Sequence, residues 1–212
     1  MEIYDYTTSG GKNLIMEDIE KLPDALKAEI LDTRQLIREK GTEAFAFLIT
    51  RQLYKKIWEI KISQERIMYV IQDQEAVYFL NICKKQKGKA EKNELEKAKN
   101  ARKQLVCYES EVGVMPFVKA DLDREKAELD RLINESEEAR KVHEEFQARI
   151  ALQQKLIEIR KAEKMTQSDV ANVTGLSQQA VSRIEKGTGA TISSLIKYLM
   201  GIGYSIELKK NG

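Results

Sequence analysis

MTQSDVANVTGLSQQAVSRIEKG, residues 165–187, reads as two short helices joined by a tight turn. Thr166 can cap the first helix, with Asp169 closing a capping box three residues later. Val170 and Val173 turn inward on this reading, and Ala171 leaves room for a second helix to approach. Gly175 supplies the left-handed freedom that the turn requires. Ser177 caps the second helix, whose Val181 and Ile184 pack inward and leave Gln178, Gln179, Ser182 and Arg183 outside. In the major groove, glutamine can pair bidentately with adenine and arginine with guanine. Thr166, Gln167, Ser177 and Lys186, at the helix ends, complete the expected DNA-contacting set. A polar-surfaced helical bundle would share the caps, but it would not require caps, turn, inward residues and outward donors to agree in one register.

Upstream of this stretch, residues 119–164 are helical in pattern throughout. Leu122, Leu129, Leu132 and Ile133 form a thin apolar stripe on an acidic helix, and such a stripe needs a partner surface. Downstream, GYSIELKK alternates Tyr204, Ile206 and Leu208 as in a short terminal strand. With LIEIRKAEKMTQ and SRIEKG included, residues 148–203 resemble the lambda-repressor-like helix-turn-helix family Xre. That resemblance implies five short helices, a recognition helix at about 178–185, a homodimer on palindromic operator DNA, and a structural ion pair between Arg160 and Glu185.

The first half has a different rhythm. MEIYDYT fits a strand, NLIMEDIEKL and DALKAEILDTRQLIREKG fit helices, and Pro23 and Gly41 punctuate them. After residue 44 the period shifts toward two, and in IWEIKIS it sets Trp58, Ile60 and Ile62 opposite Glu59, Lys61 and Ser63. The QDQE stretch at 72–75 is a hairpin turn on this reading, and AEKNELEKAKNARKQL closes the half as a charged helix. This order predicts an α+β domain of two helices, an antiparallel meander and a basic C-terminal helix. Residues 1–106 resemble RelE-type toxins, in particular the phage-derived, HigB-like group, through Trp58-Glu59-Ile60-Lys61 and the lysines around Lys84 and Lys85.

The resemblance implies cleavage of mRNA, usually within the ribosome. The 2′-hydroxyl of RNA can attack its own phosphate if a base takes the proton and cations stabilise the charge that gathers. His143 is the single histidine and lies outside this half, which excludes a histidine-pair mechanism there. Lys61, Arg66, Lys84, Lys85 and Lys87 are therefore the candidate catalytic residues, with Glu59 and Tyr69 as proton or stacking partners. Lys61 replaces the arginine of the family pattern, and the two cations differ in geometry. No metal ligand set or cofactor motif is recognisable.

At 212 residues, with 42% hydrophobic and 33% charged residues, the chain predicts two soluble domains, and neither a membrane span nor a secretory signal is expected. Cytoplasmic location and inert, reduced Cys83 and Cys107 follow. The net charge of +2 conceals an alternation. Residues 81–106 hold nine Lys and Arg against three Glu; 109–147 hold six against twelve Asp and Glu; 148–212 hold ten against five. The expected organisation is a toxin domain at 1–106, a linker at 107–118 containing a candidate internal start at Met115, an acidic helical segment at 119–147 lying over the basic surface, and a DNA-binding domain at 148–212. The whole resembles a HigB–HigA toxin–antitoxin pair on one chain, an endoribonuclease inhibited in the intact protein by contact within or between chains. The competing expectation is a transcriptional repressor whose toxin-like half is catalytically inactive.

Overall fold

The computed structural model describes residues 1–85, 87–110 and 115–207; Leu208 of the expected terminal strand and the side chain of Cys107 lie outside them. The chain divides into two compact units, Met1–Phe146 and Gln147–Gly212, in a two-domain α+β arrangement.

The first unit opens with β1 (Glu2–Tyr6), α1 (Leu14–Glu20) and α2 (Asp24–Lys40). Asn13 caps α1, its Oδ1 accepting from the Met16 N–H at 3.0 Å. Pro23 stands at the start of α2, where a missing N–H removes no helical hydrogen bond, and Gly41 ends the helix at φ 60°. After a 3-10 turn at Gly41–Ala46, the strands β2 (Thr50–Tyr54), β3 (Ile57–Ile62), β4 (Glu65–Gln72) and β5 (Ala76–Lys84) run as an antiparallel meander. Asp73 and Gln74 turn the β4–β5 hairpin with left-handed φ of 52° and 60°, matching the twist of the strands they join. β1 pairs in parallel with β5.

Two elements revise the expected linker. Helix α3 (Lys89–Ser110) runs past residue 106, and Phe117–Lys119 forms a strand, β6, antiparallel to β1. The sheet order is β2-β3-β4-β5-β1-β6. Without β6, β1 would expose a row of unpaired backbone groups. Phe117 is buried with Ile57, Met68, Val70 and Leu80, the sheet residues that meet Ala98, Ala101 and Leu105 of α3. Phe79 projects to the other face, where the guanidinium of Arg34 lies 4.9 Å from its ring centroid.

The acidic segment also sits elsewhere than expected. Helix α4 (Leu122–Glu135) packs on α2, with Leu129 and Leu132 against Ala28 and Leu31, on the side of the sheet away from α3. It therefore does not lie over residues 81–106. Its apolar stripe finds an apolar face on α2, and its charges find basic partners there: Arg38 Nη1 donates to Asp123 Oδ1 at 2.7 Å. Arg34, fully buried, donates to Asp5 at 2.8 and 3.0 Å and to Glu125 at 2.6 and 2.8 Å. Removing one member of such a group strands a buried charge, at a cost of about 3–5 kcal/mol. Helix α5 (Glu137–Ala162) adds Ala139 to the α2–α4 cluster. His143 is half-buried, with Nδ1 2.9 Å from Asp32 Oδ1.

The second unit takes the end of α5 together with α6 (Gln167–Thr174), α7 (Gln178–Glu185) and α8 (Ile192–Gly201), four helices among the described residues where the resemblance implied five. Leu156, Ile159, Val170, Val181, Ile184, Tyr198 and Leu199 form its core. Tyr204–Glu207 carry no strand, which corrects the expected terminal strand. The described residues of this unit hold no other strand with which one could pair.

Candidate nucleic-acid interfaces

On the α3 side of the sheet lies a cleft of about 220 Å³ lined by Glu59, Lys61, Arg66, Lys84, Lys85 and Lys87. The register explains the gathering. Glu59 and Lys61 share the face of Ile57, Lys61 stands opposite Arg66, and Arg66 opposite Cys83. Lys84 ends β5, and Lys85 is fixed just beyond it by a 2.6 Å bond from its N–H to the Gln64 carbonyl. Arg51 on β2 and Glu91 and Glu94 on α3 complete the wall. Six cations thus face three carboxylates, an arrangement suited to holding a polyanion.

Glu59 is only 3% exposed and is the anchor of the cleft. Its Oε1 accepts from Arg51 Nε at 3.0 Å and lies 3.9 Å from Lys61 Nζ. The other end of Arg51 reaches out of the sheet, Nη2 donating to Glu91 Oε1 at 3.1 Å. Burial, reinforced by the nearby Glu94, Glu65 and Glu59, pushes the Cys83 thiol up to about 12, so it is protonated at neutral pH and is not a nucleophile.

Tyr69 is the exception among the seven candidates and a correction to the expected set. It is 2% exposed and stacks on Phe45, ring centroids 4.9 Å apart, outside the cleft. Buried against Phe45, its ring offers no face to a base and no hydroxyl to the cleft, and burial also holds its phenol well above the ordinary value. Arg51 was missed, although its opposition to Glu59 across the β2–β3 pair is a cross-strand charge match that a register assignment would reveal. Among the described residues, no group of three or more His, Cys, Asp or Glu side chains could hold a metal ion.

In the second unit, Thr166 caps α6 in a complete capping box with Asp169, and Gly175 turns the chain at φ 68°. Ser177 caps α7 by accepting from the Ala180 N–H at 3.1 Å. Val170 and Val181 are fully buried, whereas Val173 is 60% exposed, contrary to expectation. The inward side of α6 is used by Val170, Ala171 and Thr174, whose hydroxyl donates to the Val170 carbonyl at 2.6 Å, and Val173 falls off its edge. Gln178, Gln179 and Arg183 stand exposed along α7, with Ser182 and Lys186 half-buried.

Glu185 organises the helices behind that surface. Arg160 grips its carboxylate with two nitrogens, and Tyr198 donates to it at 2.7 Å. Gln167 also spends its amide there, at 2.8 Å, which makes its side chain part of the scaffold as well as a residue at the helix start. Burial pushes the Glu185 carboxyl up, but the donated bonds from Arg160, Gln167 and Tyr198 outweigh it and hold the group below the usual range.

Residues 17–103 match a family described as phage-derived protein Gp49-like (DUF891), and residues 156–209 match the helix-turn-helix family. No curated protein matches the chain.

Proposed function

From a chain that carries a phage-derived Gp49-like domain followed by a helix-turn-helix domain, the arrangement of a fused toxin and antitoxin, we propose an RNA-cleaving first unit restrained by a second unit that binds operator DNA and represses its own transcription. The observation that carries the first part is the convergence of Lys61, Arg66, Lys84, Lys85 and Lys87 around Glu59 in one cleft. In this reading the cations hold the scissile phosphate of a single-stranded mRNA presented on the ribosome. The 2′-oxygen attacks phosphorus, its proton passes to the Glu59 carboxylate, and the bond to the 5′-oxygen breaks. The products are a 2′,3′-cyclic phosphate and a 5′-hydroxyl, the latter taking up a proton from a neighbouring lysine ammonium.

In the second unit, α7 enters the major groove with Gln178, Gln179 and Arg183 toward base edges, while the starts of α6 and α7 approach phosphates. Two copies on a palindromic operator would present two such helices. Restraint of the first unit is not assigned to α4, which packs on α2. The covalent joint alone raises the effective concentration of the second half to about the millimolar range.

The test uses a fragment ending at Phe146, so that β6, α4 and the buried Arg34 group are retained. Added to cell-free translation, it should halt synthesis with cleavage of the message; Lys84→Ala/Lys85→Ala should abolish this, and the intact chain should act more weakly. A harmless fragment would instead favour a repressor with an inactive toxin-like domain. That second reading draws on Lys61 in place of the family arginine and on the carboxylates already occupying Arg51.

A further inference from the structure

A second cleft, of about 340 Å³, adjoins the first in the same unit. The two share Arg51, Glu59, Met68 and Glu91 as common wall. Beyond that wall the character of the lining changes. In place of Lys61, Arg66 and Lys84, the second cleft offers the half-buried side chains of Leu53 and Leu95, with Gln52 and Lys92 at its margin. Within that common wall Arg51 Nη2 and Glu91 Oε1 form an ion pair at 3.1 Å, with side chains 50% and 46% exposed. An ion pair so exposed is weak and can exchange its anion for another.

We propose that the second cleft is a nucleoside subsite, and that the Arg51–Glu91 pair is a displaceable part of the wall it shares with the phosphate cleft. This rests on the reading of the first unit as an RNA-binding domain. A phosphate of single-stranded RNA takes the place of the Glu91 carboxylate on Arg51, to which it presents two oxygens in a geometry that suits the guanidinium fork. Arg51 does not swing free in the exchange, because its Nε stays on the buried carboxylate of Glu59. The base attached to that phosphate then lies against Leu53, Leu95 and Met68, an apolar wall that gives a nucleobase face a dry contact without selecting one base. Arg51 is in this scheme a binding residue for the phosphate, and Glu91 a competing anion supplied by the protein.

The experiment measures binding of the full chain to an uncleavable single-stranded dinucleotide, 2′-O-methylated UpU, by fluorescence anisotropy, beside the two versions that each lack one base. One of the abasic versions should bind several-fold more weakly than the parent, through loss of the apolar contact. Glu91→Gln should tighten binding of the parent several-fold, Arg51→Gln should weaken it, and the double variant should lose the gain that Glu91→Gln gives alone. Thermal melts of each variant verify folding, and the abasic comparison needs no variant. If both abasic versions bind like the parent, or if Glu91→Gln leaves affinity unchanged or lowers it, the subsite is overturned. Lys84→Ala/Lys85→Ala separates the causes. Loss of RNA binding there, with the preceding changes silent, removes the subsite and keeps the RNA reading; unchanged RNA binding removes both.

Discussion

Arg34 and Arg51 belong to the same unit, and each bridges two carboxylates, on opposite faces of one sheet. Arg34 joins Asp5 to Glu125 with no side-chain exposure, whereas Arg51 joins Glu59 to Glu91 while half-exposed. The chemistry is alike and the consequences differ. In the first case water is excluded and no other anion can compete, so the pair fixes where α4 sits on α2. In the second, one carboxylate is buried and the other lies in water, so one bond holds the side chain while the other is open to exchange. The comparison teaches that burial, rather than the number of partners, separates a structural arginine from one available to a ligand.

The sharpest way to break the comparison is at its buried end. Arg34→Met leaves Asp5 and Glu125 facing each other without a cation and should destabilise the first unit by about 3–5 kcal/mol, read as a large fall in its thermal midpoint. The corresponding Arg51→Gln, which leaves the buried Glu59 with Lys61 3.9 Å away and an amide that can still donate to it, should lower the midpoint by much less. Arg183 extends the series to an arginine with no carboxylate partner among the described residues, exposed on α7. Arg183→Ala should spare folding and weaken operator binding by about 1–3 kcal/mol, with relaxed sequence preference in an electrophoretic shift assay. If preference survives both this change and Gln178→Ala, α7 is not the reading helix.

The smallest effect concerns Arg160 and Glu185, an intermediate case in the second unit. The Glu185 carboxyl lies below its ordinary value in the folded chain, so its stabilisation is complete above about pH 4.5 and is lost as pH falls through the lowered folded value. Tyr198→Phe removes one donor and should cost roughly 1–2 kcal/mol at neutral pH, with a smaller difference from the parent at pH 3, measured by denaturant unfolding.

Features built from near neighbours were legible in the sequence. The capping box at Thr166, the turn at Gly175 and the alternation of β3 each depend on residues within a few positions of one another, and the structure contains all three. The cleft was legible for a related reason, since strand alternation and the β3–β4 hairpin bring Glu59, Lys61 and Arg66 to one face. Long separations hid the rest. Arg34 meets a partner 91 residues away, and neither charge nor periodicity marks Glu125 apart from the other acids of its helix. Arg51 required the β2–β3 register, Tyr69 falls on the face opposite Arg66, Met68 and Val70, as alternation along β4 already places it, and α4 found its place by fit to α2 rather than by opposite charge to α3.

Strand β6 bears on what happens when the polypeptide is broken. A protease cut or a separate translational start between Ser110 and Met115 would divide the covalent chain, yet the second fragment would begin with Phe117 seated in the first fragment's core and three residues paired along β1. It would also carry Glu125, the other half of Arg34's pairing. Two polypeptides would then behave as one particle, and release of the second fragment would require dismantling the sheet edge and exposing a buried guanidinium, not merely losing the peptide bond that joins them.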